Sequence, residues 1–425
     1  MKNQNLEWFK KRSYLHFDEK VGSKIAEKIV TNPQKVSQHS FYPMLRYNAI
    51  SAKIKKDAQT GKLIKEKKPR EITYSSHIDA HIYSYYGKIL ERAYEQQLSK
   101  LKISECVLAF RKLGKSNIDF SYEAFNEINK ISTCYVVALD ISGFFNNLDH
   151  THLKDIWARI LNEASLPSDH YSIYKSLTKY SYCKVDDIYE EFKISPNNPW
   201  HQRQRICSPI EFRNRVRKKG LITIHKDTKG IPQGTAISAL LSNIFMLDFD
   251  VKMHKLMTEY NGSYRRYCDD MLFIYPPTQD TIDIEKFVSQ EIASYSLSIN
   301  NNKTEKRFFQ NGISDKPLQY LGFTYDGTKI LLRSAALAKF SSRMNKSLRL
   351  VKRTIDTQSK GLSQRVPLRR KKIYERYSHL GNRNFIRYGL RASQMMDSHA
   401  IKKQLRPLWN RLNTQLDNLD KYGKP

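Results

Sequence analysis

Two short stretches carry bare aspartates at the edges of apolar runs, and they constrain this chain more than any other feature. Tyr267-Cys268-Asp269-Asp270 stands directly ahead of the run Met271–Tyr275, and upstream the run Tyr135-Val136-Val137-Ala138-Leu139 ends in Asp140. Taken alone, an aspartate at a strand end is more often a turn or cap residue than a metal ligand. Two adjacent carboxylates are harder to accommodate. They repel each other, and beside apolar strands each is costly unless a cation or a basic side chain neutralises it. A turn breaks the two-residue alternation of a strand, so Asp269 and Asp270 can both approach one site. Three carboxylates from two neighbouring strands form an oxygen cage suited to two Mg²⁺ ions, the arrangement that serves in-line nucleotidyl transfer.

The rest of the chain narrows the class. Its 425 residues suffice for two or three lobes with proper cores. An apolar fraction of 40% with 12% aromatics indicates a folded protein. The formal net charge of +31 calls for a polyanionic partner, either nucleic acid or an anionic membrane. No apolar stretch approaches the roughly 18–20 residues a membrane span needs, and Met1–Arg12 has no apolar signal-peptide core. The five cysteines form no C-x-x-C pair and the twelve histidines no H-E-x-x-H pattern. That argues against structural zinc and zinc hydrolysis, and it fits free thiols in a reducing cytoplasm.

Periodicity predicts a helix near Gly22–Val30 and another over His77–Leu98, where Ile78, Ile82, Tyr85, Leu90 and Tyr94 recur at helical spacing. Ile131–Leu139 suits a buried central strand. Lys62–Arg70 is a charge run, read as a solvated loop or a nucleic-acid contact. Gly230–Gly234 is a turn that opens an apolar helix over Ala236–Met253. Asn261-Gly262 signals a turn before the strand leading into Tyr267. From residue 329 onward, 24 Lys and Arg face 5 Asp and Glu. Leu337, Phe340, Met344 and Leu348 recur there at helical spacing, so the expectation is a basic helical lobe able to grip a duplex.

Three further groups bear on chemistry. Asp140 opens Asp-Ile-Ser-Gly-Phe-Phe-Asn-Asn, and Phe145 is either core packing or an aromatic beneath an incoming sugar. In Lys229-Gly230-Ile231-Pro232-Gln233-Gly234 the glycines let backbone approach a ligand, and Gln233 can hydrogen-bond a base or sugar. Lys303, after a polar loop, reads by itself as a surface lysine.

Together these residues resemble the reverse transcriptase family over about residues 65–325. Motif A resembles Asp140–His150, motif B Gly230–Asn243 and motif C Tyr267–Asp270, in matching order and spacing. Leu297–Thr304 is similar to motif D and Tyr320-Leu321-Gly322-Phe323 to the motif E hairpin. Lys68-Pro69-Arg70 and Ala109-Phe110-Arg111-Lys112 are similar to the two basic elements of the fingers. The resemblance implies an α+β right-hand polymerase fold: fingers, a palm whose antiparallel sheet carries the carboxylates, and a basic helical thumb. The expected divisions are an N-terminal extension at 1–65, fingers and palm at 66–328, and the thumb at 329–425.

The same resemblance implies roles. Asp140 and Asp269 would bind both Mg²⁺ ions, with Asp270 beside them and the Ile141 carbonyl as a further ligand. Arg70 and Arg111 would neutralise the triphosphate of a dNTP, near Gln233 and Gly234. Phe145 would be the steric gate, Lys303 the proton donor to pyrophosphate, and Tyr320, Leu321 and Gly322 the grip on the primer end.

Within the family, Arg12–Asp18 and Ser76–Tyr83 resemble segments of the type 2 defence-associated bacterial members. That implies a structured non-coding RNA as resident template, copied repeatedly into concatemeric cDNA during antiphage defence. A monomeric ribonucleoprotein is the expected form, with host or phage factors as further partners. Retron-like single-copy synthesis, template-independent or protein-primed synthesis, and a non-enzymatic RNA scaffold are the alternatives.

Overall fold

A computed structural model describes residues 6–56, 61, 63–201, 203–278, 282–362 and 366–421. In chain order the strands are β1 (Met44–Lys56), β2 (Leu63–Tyr74), β3 (Cys134–Asp140), β4 (Ser181–Lys184), β5 (Thr223–Ile224), β6 (Ser263–Tyr267), β7 (Asp270–Tyr275), β8 (Glu305–Phe309), β9 (Leu318–Tyr320), β10 (Phe323–Tyr325) and β11 (Ile330–Leu332). They form three sheets, in the orders β2-β1-β4-β5, β6-β7-β3-β8 and β11-β10-β9.

The central sheet is antiparallel throughout. Its two middle strands are apolar on both faces, so alternation sends their side chains into two different cores. Val137, Leu139, Met271 and Phe273 enter one core, shared with the helices His77–Lys100, His150–Ile160, Ser238–Phe245 and Leu247–Glu259. Val136, Leu272 and Ile274 enter the other, shared with the Asn117–Ile131 helix, the β9–β11 sheet and the C-terminal helices. The sheet is therefore clamped along most of its length. The ladder of its two middle strands ends in the polar pair Asp140 and Asp270.

The N-terminal segment is part of the same body. Trp8 lies in the first core, and the Asp18 carboxylate accepts from the His77 and Ile78 N–H groups at 3.0 Å each, capping the His77–Lys100 helix. Tyr14 stacks on His77 at 5.1 Å, and Arg12 donates to the Ala80 carbonyl and the Ser84 hydroxyl. Arg12–Asp18 and Ser76–Tyr83, far apart in sequence, thus form one packed unit.

Several elements differ from the sequence reading. Lys67–Arg70 is no loop but part of β2, paired with β1 as one long hairpin and exposed; Lys62 lies outside the described residues. A division at 65/66 cuts this hairpin, and one at 328/329 cuts the β9–β11 sheet between β10 and β11. The central strand starts at Cys134, because Ile131 still belongs to the preceding helix and Ser132 turns the chain at φ 67°. The helix expected over Ala236–Met253 is two helices, Ser238–Phe245 and Leu247–Glu259. At Met246 an N–H bond to the Asn243 carbonyl, three residues back, tightens the turn. The C-terminal lobe is built from the helices Ser334–Gln358, Arg370–Tyr377, Phe385–Met395 and His399–Lys421, with Phe340, Met344 and Leu348 buried as the spacing predicts.

Candidate active site

Antiparallel pairing of β3 with β7 sets Asp140 opposite Asp270 at the last rung of their ladder. β6 and β7 are joined by a two-residue turn, Cys268-Asp269, with Tyr267 opposite Asp270. Cys268 takes a left-handed φ of 61° there, a conformation such a hairpin needs and a side chain resists. The Asp269 carbonyl accepts from Ile141 N–H at 3.0 Å, which ties the turn to the residue after Asp140. Two strand ends and one turn thus bring the three carboxylates to one corner.

That corner is crowded with negative charge. Burial first, then Asp269 and Asp140, push the Asp270 carboxyl up to about 7, against the pull of Lys303 and Arg333. Asp140 is 6% exposed. The Lys303 ammonium donates to both its oxygens at 2.6 Å, and Asn300 Nδ2 reaches Oδ1 at 3.3 Å. Lys303 is delivered by the short helical turn Asn301–Lys303, anchored where Asn300 N–H meets the Asp140 carbonyl at 2.7 Å. Hard carboxylate oxygens under mutual repulsion suit a divalent cation. Among the described residues, no three acidic, histidine or cysteine side chains already converge as a ligand set. Lys303 is the cation Asp140 holds here.

The glycine loop backs onto this corner from the other side. Gly230 has φ 90°, and a Cβ there would lie 2.8 Å from the Asn146 carbonyl oxygen. Ile231 N–H donates to the Phe145 carbonyl at 2.9 Å. Phe145, half-buried in the turn after Asp140, therefore sits between the strand end and the loop. Gly234, at φ 123°, is pressed on the fingers hairpin, where a Cβ would stand 2.6 Å from Thr73 O. The Gln233 carbonyl accepts from Thr73 N–H at 2.8 Å, and the Gln233 side chain is half-buried.

Tyr320, Leu321 and Gly322 form the β9–β10 hairpin turn. Leu321 and Gly322 both have positive φ, 43° and 97°. The Leu321 carbonyl accepts from Asn117 Nδ2 and the Gly322 carbonyl from Arg333 N–H. The Tyr320 hydroxyl is buried without a hydrogen-bond partner, and its burial pushes its pKa well up.

The two fingers arginines behave differently. Arg70 lies exposed on β2 opposite Ala49, with no contact to the carboxylates. Arg111 does not point at the site at all. Its side chain is 3% exposed, paired with Glu95 at 2.6 Å, and donates to the Ser104 and Val107 carbonyls. Four N–H groups of that guanidinium are engaged in these bonds, an internal tie that differs from the contact expected of it at the triphosphate.

A third arginine, absent from the sequence reading, is central. Arg266 is fully buried and makes a two-point ion pair with Asp250, Nε to Oδ1 at 2.8 Å and Nη2 to Oδ2 at 2.6 Å. Its remaining nitrogen donates to Asn243 Oδ1 and to the Cys268 carbonyl, both at 3.1 Å. Tyr264 donates to Asp250 at 2.8 Å, and Asn243 donates on to the Ala109 carbonyl at 2.8 Å. The network fastens the Cys268-Asp269 turn to the helices behind it. Alternation carried the signal: with Tyr264 inward on β6, Arg266 must point inward too, and a buried guanidinium needs a carboxylate.

A catalytic-type aspartate turn, a second strand-end aspartate opposite it and a glycine loop behind both define a palm of the nucleotide-polymerising class. Residues 65–325 match the family model described as reverse transcriptase (RNA-dependent DNA polymerase), and the chain belongs to that family, with its right-hand fold of fingers, palm and thumb. No curated protein matches the chain in sequence. Among solved structures it is similar to apo telomerase from Candida tropicalis truncated from its C-terminal domain, at 14% identity and TM-score 0.44, covering 73% of this chain and 59% of that one. It is also similar to telomerase from Candida albicans in complex with a fragment of telomeric RNA, at 11% identity and TM-score 0.40, covering 94% and 65%. The chain spans about three fifths of the length of these proteins. Among the described residues no helix is long and apolar enough to cross a membrane.

Proposed function

We propose that this chain is an RNA-directed DNA polymerase that copies a resident structured RNA into DNA with two Mg²⁺ ions. The observation that carries the reading is the facing of Asp140 and Asp270 across β3 and β7, with Asp269 in the turn between. Asp140 and Asp269 are the residues that would hold the ions, assisted by Asp270 and the Ile141 carbonyl. When bound, the ions lower the pKa of the primer hydroxyl and stabilise the leaving pyrophosphate. Lys303, freed from Asp140, becomes the proton donor to that leaving group. Phe145, fixed between strand end and loop, crowds the 2′ position of an incoming nucleotide and selects dNTPs. Arg70 steadies the triphosphate, Gln233 and Gly234 line the nucleotide, and Tyr320, Leu321 and Gly322 hold the primer end. The likeness of Arg12–Asp18 and Ser76–Tyr83 to defence-associated members supports an antiphage role with repeated copying of a dedicated non-coding RNA.

The charge of +31 supports a resident RNA, with exposed basic residues of the thumb and of Lys67–Arg70 on its phosphates. Recognition of one RNA would rest on its loops, shape and 2′-hydroxyls.

The test is to recover the protein from cells and sequence its bound RNA and associated DNA, beside the Asp269→Ala/Asp270→Ala form. One dominant RNA with repeated complementary DNA, the DNA lost in the variant, is the expected result. Single-copy DNA would point to retron-like synthesis. DNA without an RNA match would point to template-independent synthesis, and defence surviving the double change to a scaffold.

A further inference from the structure

A cavity of about 550 Å³ lies between the short helix Pro33–Ser37, the start of β1 and the helix Ser168–Thr178, and Tyr180 and Ser181 line it ahead of β4. None of its lining residues belongs to the carboxylate corner, the glycine loop or the β9–β10 turn.

One helix face supplies an unusual lining. Ser168, Tyr171, Ser172, Lys175, Ser176 and Lys179 recur at helical spacing and all border the cavity. The apolar residues of the same helix, Ile173 and Leu177, go to the first core. Lys175 and Lys179 are both exposed, and neither has an ion-pair partner among the described residues. Like charges four residues apart destabilise a helix unless an anion neutralises them. The Ser168 and Ser172 hydroxyls also lack a protein hydrogen-bond partner among the described residues.

The opposite wall is held rigidly. Asp79, 1% exposed, accepts from His39 Nε2 at 2.6 Å and from Tyr42 N–H at 3.1 Å. That carboxylate keeps the proton on Nε2, so Nδ1 of the neutral ring is an acceptor, and it has no partner among the described residues. Phe41 stacks on Tyr83 at 5.6 Å, and the Tyr83 hydroxyl meets that of Ser176 at 2.9 Å, which ties the two walls together.

We infer that this cavity binds a free mononucleotide. Lys175 and Lys179 take its phosphates with the Ser168 and Ser172 hydroxyls, and the Tyr171 ring, 46% exposed, offers a face to its base. His39 Nδ1 accepts from a sugar hydroxyl. The volume is that of a small-ligand site. Two cations on one helix match a short phosphate chain, whereas a polynucleotide is met by a longer row of them. The site stands apart from the polymerase reading and does not depend on it.

The test uses the full chain in buffer with EDTA, so that no divalent ion holds a triphosphate at the carboxylate corner. ATP, GTP, CTP and UTP are titrated in turn by calorimetry, and hydrogen–deuterium exchange maps the contact. Saturable binding of at least one is expected, with protection over 37–44 and 168–181. Lys175→Gln/Lys179→Gln, both at exposed positions, is expected to weaken that nucleotide by about ten-fold. Tyr171→Ala is expected to weaken it while leaving inorganic tripolyphosphate unchanged, and Tyr171→Phe to bind as wild type does. No saturable binding of any of the four at millimolar concentration would overturn the inference, as would protection confined to other segments. Tripolyphosphate binding as tightly as the best nucleotide would show a general anion site and overturn it too. Displacement of the nucleotide by a single-stranded RNA that protects the same segments would make the cavity an RNA contact instead.

Discussion

Two cation–carboxylate pairs each have one member on the palm sheet, Arg266 in one and Asp140 in the other, and they are built for opposite purposes. Arg266 and Asp250 are both fully buried, joined at two points, with the spare guanidinium nitrogen donating to Asn243 and Cys268. Lys303 and Asp140 are joined through a single ammonium, 40% exposed on the lysine side. A rigid guanidinium fork with every nitrogen engaged cannot leave without stranding a buried charge. A flexible lysine at the mouth of the site can swing out at little cost and yield its place to another cation. One pair is a fixture that sets where the aspartate turn lies; the other marks the place where charge is exchanged.

That contrast can be broken at four points. Asp269→Ala/Asp270→Ala removes the exchangeable corner, and nucleotide incorporation is expected to fall to background while RNA retention by pull-down is unchanged; residual templated synthesis would mean the corner is not where chemistry occurs. Lys303→Met is expected to lower the maximal rate by about 10²–10⁴-fold, the range of a lost general acid, while the Mg²⁺ titration shifts to lower concentration. A titration that does not move would show that the lysine is no stand-in for an ion. Arg266→Met strands Asp250 and is expected to cost about 3–5 kcal/mol in a urea unfolding curve. Adding Asp250→Leu should regain stability without regaining synthesis, because the Cys268 carbonyl stays untethered. The smallest effect belongs to the adjacent Arg265, which lies on the opposite face of β6 and pairs with Glu127, both side chains about a fifth exposed. Arg265→Gln is expected to cost at most about 1 kcal/mol, and a larger loss would erase the distinction between the two arginines.

The halves of this comparison were unequally legible in the sequence. Asp140, Asp269 and Asp270 stand out because carboxylates bound apolar runs, which puts Asp140 and Asp270 at strand ends and Asp269 in the turn beside them. The Gly230 and Gly234 turn is equally plain, since each glycine meets backbone at a distance no side chain tolerates. Arg266 hides in Ser-Tyr-Arg-Arg-Tyr, where two arginines in a basic chain look solvated; its partner lies sixteen positions back on a different element, and only tertiary contact joins them. Arg111 shows the same limit. Its motif fits a phosphate contact, and its pairing with Glu95 on the preceding helix could not be read from the sequence. The break at Met246 left no Gly or Pro to announce it.

The continuity of the β1–β2 hairpin has a practical side. A fragment trimmed to the matched span, 65–325, would discard β1 and β11 and the Asp18 cap along with them. It would bare the backbone edges of β2 and β10 to any passing strand, a recipe for aggregates instead of a minimal enzyme. Recombinant pieces of this protein should therefore begin no later than Leu6, and any cut for split reporters belongs elsewhere than at the motif borders.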